Sequence, residues 1–274
     1  MEISEKDKAI GVMDSGVGGL TVLKQLLNVM PSENYLYFGD TKNLPYGEKT
    51  KEQLIEIVKE IFAFFEKQNV KAVVLACNTT SATAYEELKD KYSFKIYPLI
   101  QTVSKCVVLD KSLDRIGVMA TQATVNSQKY TSELKKNNPA VEVFEQACPM
   151  WVPIVENQIK DYDEKTVITG YLNSVLDFNP KKIILGCTHY PYLLDKLVKY
   201  APEDLFINPA QLFANYIKQD LLKCNILNTV SSGSVSYFAS SGPDVFKKNA
   251  KLFLEIDSVP QLVESVSYTH LEPT

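Results

Sequence analysis

Nine short apolar runs recur along the chain, at 9–13, 35–39, 72–76, 95–99, 115–120, 141–146, 182–186, 205–208 and 234–239. Helical patterns fill the intervals, at 19–29, 51–67, 81–91, 101–109, 126–136, 150–157, 164–176, 192–200, 210–222 and 243–254. Strands that alternate with helices are joined by right-handed crossovers and lie parallel in their sheets. The runs are nearly continuous in Val, Ile, Leu and Ala, which predicts strands covered on both faces rather than half-solvated ones. The expected fold class is α/β.

A repeat lies inside this alternation. Ile10-Gly11-Val12-Met13 returns as Ile116-Gly117-Val118-Met119, an offset of 106, and Cys77 returns as Cys187, an offset of 110. Each opening strand ends in small or hydroxyl residues, Asp14-Ser15-Gly16 in one unit and Ala120-Thr121-Gln122 in the other. The repeat predicts two pseudo-symmetric α/β domains with mainly parallel sheets and an active site at their interface, where the carboxyl ends of the strands meet. The expected division is 1–100 with 210–274 for the first, discontinuous domain and 101–209 for the second.

With 274 residues, 45% of them apolar and 23% charged, the chain can bury an ordinary globular core. Its net charge of −4 and its lack of a clustered Lys/Arg surface argue against nucleic acid as a partner. No apolar run reaches the roughly 18 residues of a membrane span, and the charged opening Met1–Lys8 lacks the apolar stretch of a signal peptide. A cytoplasmic protein with no membrane partner is expected. Its five cysteines, at 77, 106, 148, 187 and 224, are then reduced thiols. They show no CxxC spacing and only two histidines accompany them, so no metal is expected. Residues 266–274 fit the strand–helix rhythm poorly, and His270 within them reads as solvated.

Four segments carry chemistry. Asp14-Ser15-Gly16-Val17-Gly18-Gly19-Leu20 joins a strand to a helix, where glycines allow positive φ or close approach and a helix start favours an anion. A dinucleotide fingerprint would need its third glycine at Thr21. A tight turn capped by Asp14 or Ser15 is the plainer reading. Gly39-Asp40 through Pro45-Tyr46-Gly47 is turn chemistry, apart from a tyrosine that a turn does not require. Cys77-Asn78-Thr79-Thr80 and Cys187-Thr188-His189-Tyr190 complete the set. A free cysteine is ordinarily buried and inert, the reading given to Cys106, Cys148 and Cys224. Cys77 and Cys187 differ: they correspond in the repeat, polar residues follow them, and a helix start lowers a thiol pKa. His189 stands two residues beyond Cys187, where side chains often diverge, so it is expected to face the ligand. Glu156 ends an apolar helical turn and by itself reads as a solvated carboxylate.

These four segments, in this order, resemble those of the cofactor-independent glutamate racemases of bacteria, and the resemblance runs from Ala9 to Ser241. It implies two α/β domains enclosing glutamate, interconversion of the L and D enantiomers for peptidoglycan synthesis, and no cofactor. It implies that Cys77 and Cys187 are the catalytic acid/base pair. It further implies that Asp14, Ser15, Tyr46, Gly47, Asn78, Thr79, Thr121, Thr188 and His189 hold the substrate, while Asp14, Asp40, Glu156 and His189 assist the thiols. Family members commonly form homodimers, so a homodimer is among the assemblies the resemblance allows. Ala120 and Ala123 stand where glycine is common in the family.

The residue types suit the reaction. An amino-acid α-proton is very weakly acidic, so a base on one face must work with an acid on the other while fixed dipoles stabilise the carbanion-like transition state. A thiol, with an ordinary pKa of about 8.5, needs only modest tuning for either role. A racemase of the same type acting on aspartate is the nearest alternative. A two-lobed amino-acid-binding protein would not need paired cysteines, and a cysteine hydrolase would need only one.

Overall fold

The computed structural model describes residues 4–230 and 232–264; the sequence reading of 266–274 and His270 lies outside them. The chain opens with β1 (Ile10–Asp14), α1 (Leu20–Val29), β2 (Tyr35–Gly39), α2 (Lys51–Lys67), β3 (Ala72–Leu75), α3 (Asn78–Thr83), α4 (Tyr85–Leu88), β4 (Lys95–Pro98) and α5 (Leu99–Val107). It continues with β5 (Arg115–Ala120), α6 (Gln122–Asn126), α7 (Lys129–Asn137), β6 (Glu142–Ala147), α8 (Trp151–Val155), α9 (Glu164–Asp177), β7 (Lys182–Gly186), α10 (Leu194–Leu197) and β8 (Phe206–Ile207). It closes with α11 (Pro209–Lys223), β9 (Val235–Ala239), α12 (Pro243–Ala250) and β10 (Gln261–Leu262).

The strands form two sheets, ordered β10-β9-β2-β1-β3-β4 and β6-β5-β7-β8, and every pairing is parallel. The α/β fold expected from the alternation is the fold found. The repeat is visible in the topology, since the order β2-β1-β3-β4 returns as β6-β5-β7-β8. In each sheet the chain leaves the central strand to one side and then crosses to the other. That crossing makes a switch point, with a crevice outside the strand ends. Asp14 and Cys77 stand at the crevice of the first sheet, and Thr121 and Cys187 at that of the second.

Side chains alternate between two layers along each strand, as a period of two demands. Ile10 and Val12 of β1, with Ile116 and Val118 of β5, point into one central core shared by both lobes. Val103 of α5, Leu134 of α7, and Phe213 and Ile217 of α11 fill that core. Met13 faces outward onto Phe62 and Phe65 of α2, and Met119 faces outward onto Leu172 and Val175 of α9. The paired strand glycines have the same cause. A Cβ on Gly11 would stand 2.8 Å from the Phe65 ring, and one on Gly117 would stand 2.5 Å from Cγ1 of Val175. Each glycine lets an outer helix lie close on its sheet.

Where the elements differ from the sequence reading, the reasons are local. The helix expected at 81–91 is two short helices, starting at Asn78, with a break at Ala84. The helix expected at 126–136 begins earlier, at Gln122, because the Thr121 hydroxyl accepts from the Thr124 N–H; it then breaks at Gln128, whose φ is 51°. The helix expected at 192–200 is a 3-10 turn, Tyr190–Leu193, followed by the single turn of α10. β10 is two residues long, too short to leave a pattern. Among the described residues no helix is long and apolar enough to cross a membrane.

Candidate active site

The two crevices open into one cleft of about 910 Å³, lined by both lobes. Of the residues expected to act, Asp14, Ser15, Tyr46, Gly47, Cys77, Asn78, Thr79, Thr121, Glu156, Cys187, Thr188 and His189 all line it. Asp40 does not. It is buried behind the wall, where it accepts from the Tyr46 hydroxyl at 2.7 Å, from Asn43 Nδ2 at 2.9 Å and from the Ser240 hydroxyl at 2.6 Å. Its carboxylate therefore meets the cleft wall through Tyr46, which packs beside Cys77.

Cys77 ends the loop after β3 and is the N-cap of α3, whose Thr80 N–H lowers the thiol pKa without setting it. Burial, and then the neighbouring Asp14 carboxylate, push the thiol up to about 11, against opposing bonds from Thr80 and Ser15. The Ser15 hydroxyl lies 3.8 Å from its sulfur. Asp14 itself is raised by burial, although the Gly16 N–H donates to its Oδ2 at 3.0 Å. The first wall thus favours a protonated thiol, because burial and Asp14 outweigh the lowering expected from a helix start.

The second wall is built differently. Cys187 follows β7 and precedes a 3-10 turn rather than an α-helix. His189 Nδ1 lies 3.8 Å from its sulfur, and His189 Nε2 lies 2.9 Å from Glu156 Oε1. The turn folds His189 back onto the thiol, where the sequence reading expected the side chains to diverge. Glu156 is half-buried rather than freely solvated, because it holds that imidazole. Burial opposes charge on His189, but hydrogen bonds to Cys187 and Glu156 prevail and lift it to about 10.

The glycines of the first loop serve this junction. A Cβ on Gly18 would stand 2.4 Å from His189 Cε1 and 2.5 Å from Thr188 Oγ1, and one on Gly19 would stand 2.4 Å from Asp14 Cβ. Gly18 admits the opposite lobe, and the Thr21 hydroxyl then donates across to the Thr188 carbonyl at 2.8 Å. Gly19 is the N-cap of α1, in place of the Asp14 or Ser15 cap the sequence suggested, and its φ of −62° is ordinary. Close approach, not positive φ, explains these glycines.

The remaining cysteines divide. Cys106 is half-buried, Cys224 is exposed rather than buried, and Cys148 is buried but lines the cleft. Cys148, expected to be inert packing, is kept neutral by burial, which raises its pKa. The sequence reading also missed the apolar rim from Pro149, Val152 and Pro153, and the return of Val245 and Phe246 on α12. Only the tertiary path of the C-terminal segment brings α12 there, and no local pattern announces it. Among the described residues there is no cluster of three or more His, Cys, Asp or Glu that could hold a metal ion.

Two α/β lobes each deliver a thiol to this one shared cleft. The chain belongs to the Asp/Glu/Hydantoin racemase family, whose model matches residues 10–217. It is 39% identical over 259 residues to glutamate racemase 2 of Caldanaerobacter subterraneus subsp. tengcongensis, covering 92% of this chain and 96% of that protein. Its fold matches the crystal structure of glutamate racemase from Francisella tularensis in complex with D-glutamate, with a TM-score of 0.85, 32% identity, and coverage of 96% and 100% of the two chains. It also matches glutamate racemase isoform RacE1 from Bacillus anthracis, with a TM-score of 0.88, 29% identity, and coverage of 94% and 98%.

Proposed function

We propose that this protein interconverts L- and D-glutamate by a two-base reaction, with Cys77 and Cys187 as the acid/base pair. The observation that carries the reading is one cleft holding a thiol from each lobe, each with its own polar support. Glutamate as substrate rests on the relatives, and aspartate remains the second reading. Cys77 takes the α-proton of D-glutamate while Cys187 delivers its own to the opposite face; the roles reverse for L-glutamate. The carbon loses one proton and gains one, so the exchange balances with no change in oxidation state.

The uneven walls suit the L-glutamate direction, in which Cys187 is the base and Cys77 the acid; the D-glutamate direction starts from the reversed protonation. Cys77, held up at about 11, is ready to donate. His189, held by Glu156, is ready to keep the proton that Cys187 releases. Backbone and hydroxyl groups of Asn78, Thr79, Thr121 and Thr188 bind the substrate carboxylates and stabilise developing negative charge. Asp40 assists by orienting Tyr46 rather than by touching a thiol. We place the division between the two domains near 100 and 209, and assign the protein a cytoplasmic role in supplying D-glutamate for peptidoglycan.

Incubating the protein with D-glutamate in deuterated water tests the reading, with circular dichroism following inversion and NMR following α-deuterium. Inversion with deuterium uptake is expected, and Cys77→Ala and Cys187→Ala should each abolish inversion in a folded protein. Near wild-type turnover from both variants would sink the two-base mechanism. Faster turnover of D-aspartate than of D-glutamate would transfer the reading to the aspartate reaction.

A further inference from the structure

The Asn78 side chain has a half-finished set of hydrogen bonds. Its Oδ1 accepts from the Tyr130 hydroxyl at 2.8 Å, while its buried Nδ2 has no partner among the described residues. Asn78 lines the cleft and directly follows Cys77. A buried amide N–H without an acceptor costs free energy, so its persistence beside a binding cleft points to a ligand acceptor. With Oδ1 occupied by a donor, the amide presents its two N–H groups to whatever enters.

Tyr130 comes from the other lobe, on α7, and is fully buried. Its ring rests against Gly186, where a Cβ would stand 3.0 Å from Cε2. Gly186 directly precedes Cys187. One side chain thus touches the residue before one thiol and the residue after the other. We propose that Tyr130 is a positioning residue, holding the two thiol-bearing strand ends in register and turning the Asn78 amide so that it donates to a substrate carboxylate. Tyr130 touches neither thiol nor substrate and acts through Asn78 and Gly186. This inference rests on the glutamate-racemase reading above.

A double-mutant cycle separates this role from general packing. Tyr130→Phe keeps the ring on Gly186 and removes only the hydroxyl. A loss of kcat/KM of about tenfold is expected, the scale of one hydrogen bond. The loss must be equal in both directions, because the two enantiomers are equal in free energy. In an Asn78→Ala background the same substitution should cost less than about twofold, because the amide it orients is gone. An equal loss in both backgrounds, or no loss in the single variant, would overturn the proposal. Replacing Tyr130 with p-aminophenylalanine keeps both ring and donor and covers the case in which Tyr130→Phe does not fold. Turnover within about threefold of wild type is expected, and a tenfold loss would overturn the proposal. Wild-type protein that fails to racemise glutamate would instead refute the reading beneath it.

Discussion

At the scale of single residues, the two thiols are chemically alike and their surroundings are not. Cys77 sits beside a buried carboxylate, and Cys187 sits beside an imidazole that Glu156 anchors. His189 is lifted from about 6.5 to about 10 in the folded protein. Its proton therefore adds stability in full below about 6.5, and that contribution is lost as pH rises through about 10. The raised Cys77 thiol has the same sign, because the folded state holds its proton more tightly than the unfolded chain does. Glu156→Gln removes one of the groups that lift His189. Urea midpoints measured from pH 6 to pH 10 should fall less steeply for this variant than for wild type. Equal slopes would remove Glu156 from that role. The thiols themselves were legible from the repeat. The imidazole contact was not, because it depends on a 3-10 turn that no local pattern distinguishes from an extended one.

At the scale of elements, the paired strands and their outer helices follow one design in both lobes. Gly11 and Gly117 occupy matching places on β1 and β5, and each is covered by an outer helix. The Gly117 site is the tighter of the two, with a β-branched Val175 directly over it. Gly117→Ala should therefore destabilise the protein by about 1–3 kcal/mol, the usual cost of overpacking a core. Thermal melting reads that cost as a fall of a few degrees, while KM for glutamate should stay within about twofold. A changed KM with an unchanged melting temperature would contradict the packing argument. Strand positions were readable because buried parallel strands are nearly continuous apolar runs. Helix breaks at Ala84 and Gln128 were not, since nothing at those positions forbids continued helix.

At the scale of the whole molecule, the lobes share one apolar core. Ile10 and Val12 of the first sheet and Val118 and Ile184 of the second belong to it, with α5, α7 and α11 packed between them. Unfolding one lobe would expose the inner face of the other, so a single cooperative transition is expected. Trp151 is the one tryptophan of the chain and lies in the second lobe, so its fluorescence reports that lobe, whereas far-ultraviolet circular dichroism reports both. The two melting curves should coincide, and separate midpoints would show independent lobes. Another long-range tie lies elsewhere in the first lobe, where the buried Lys71 ammonium bonds Glu33 at 2.6 Å and the Ile226 carbonyl at 2.9 Å. Neither charge was singled out in the sequence, because partners so far apart in the chain leave no spacing to read. By itself the sequence determined the α/β alternation, the repeat and the two thiols, since these follow from local apolar periodicity and from residues repeated at a near-constant offset. The tertiary structure alone decided that His189 folds onto Cys187, that Tyr46 bonds Asp40, and that Tyr130 spans the lobes, because each depends on side chains meeting across elements whose relative placement is set by packing.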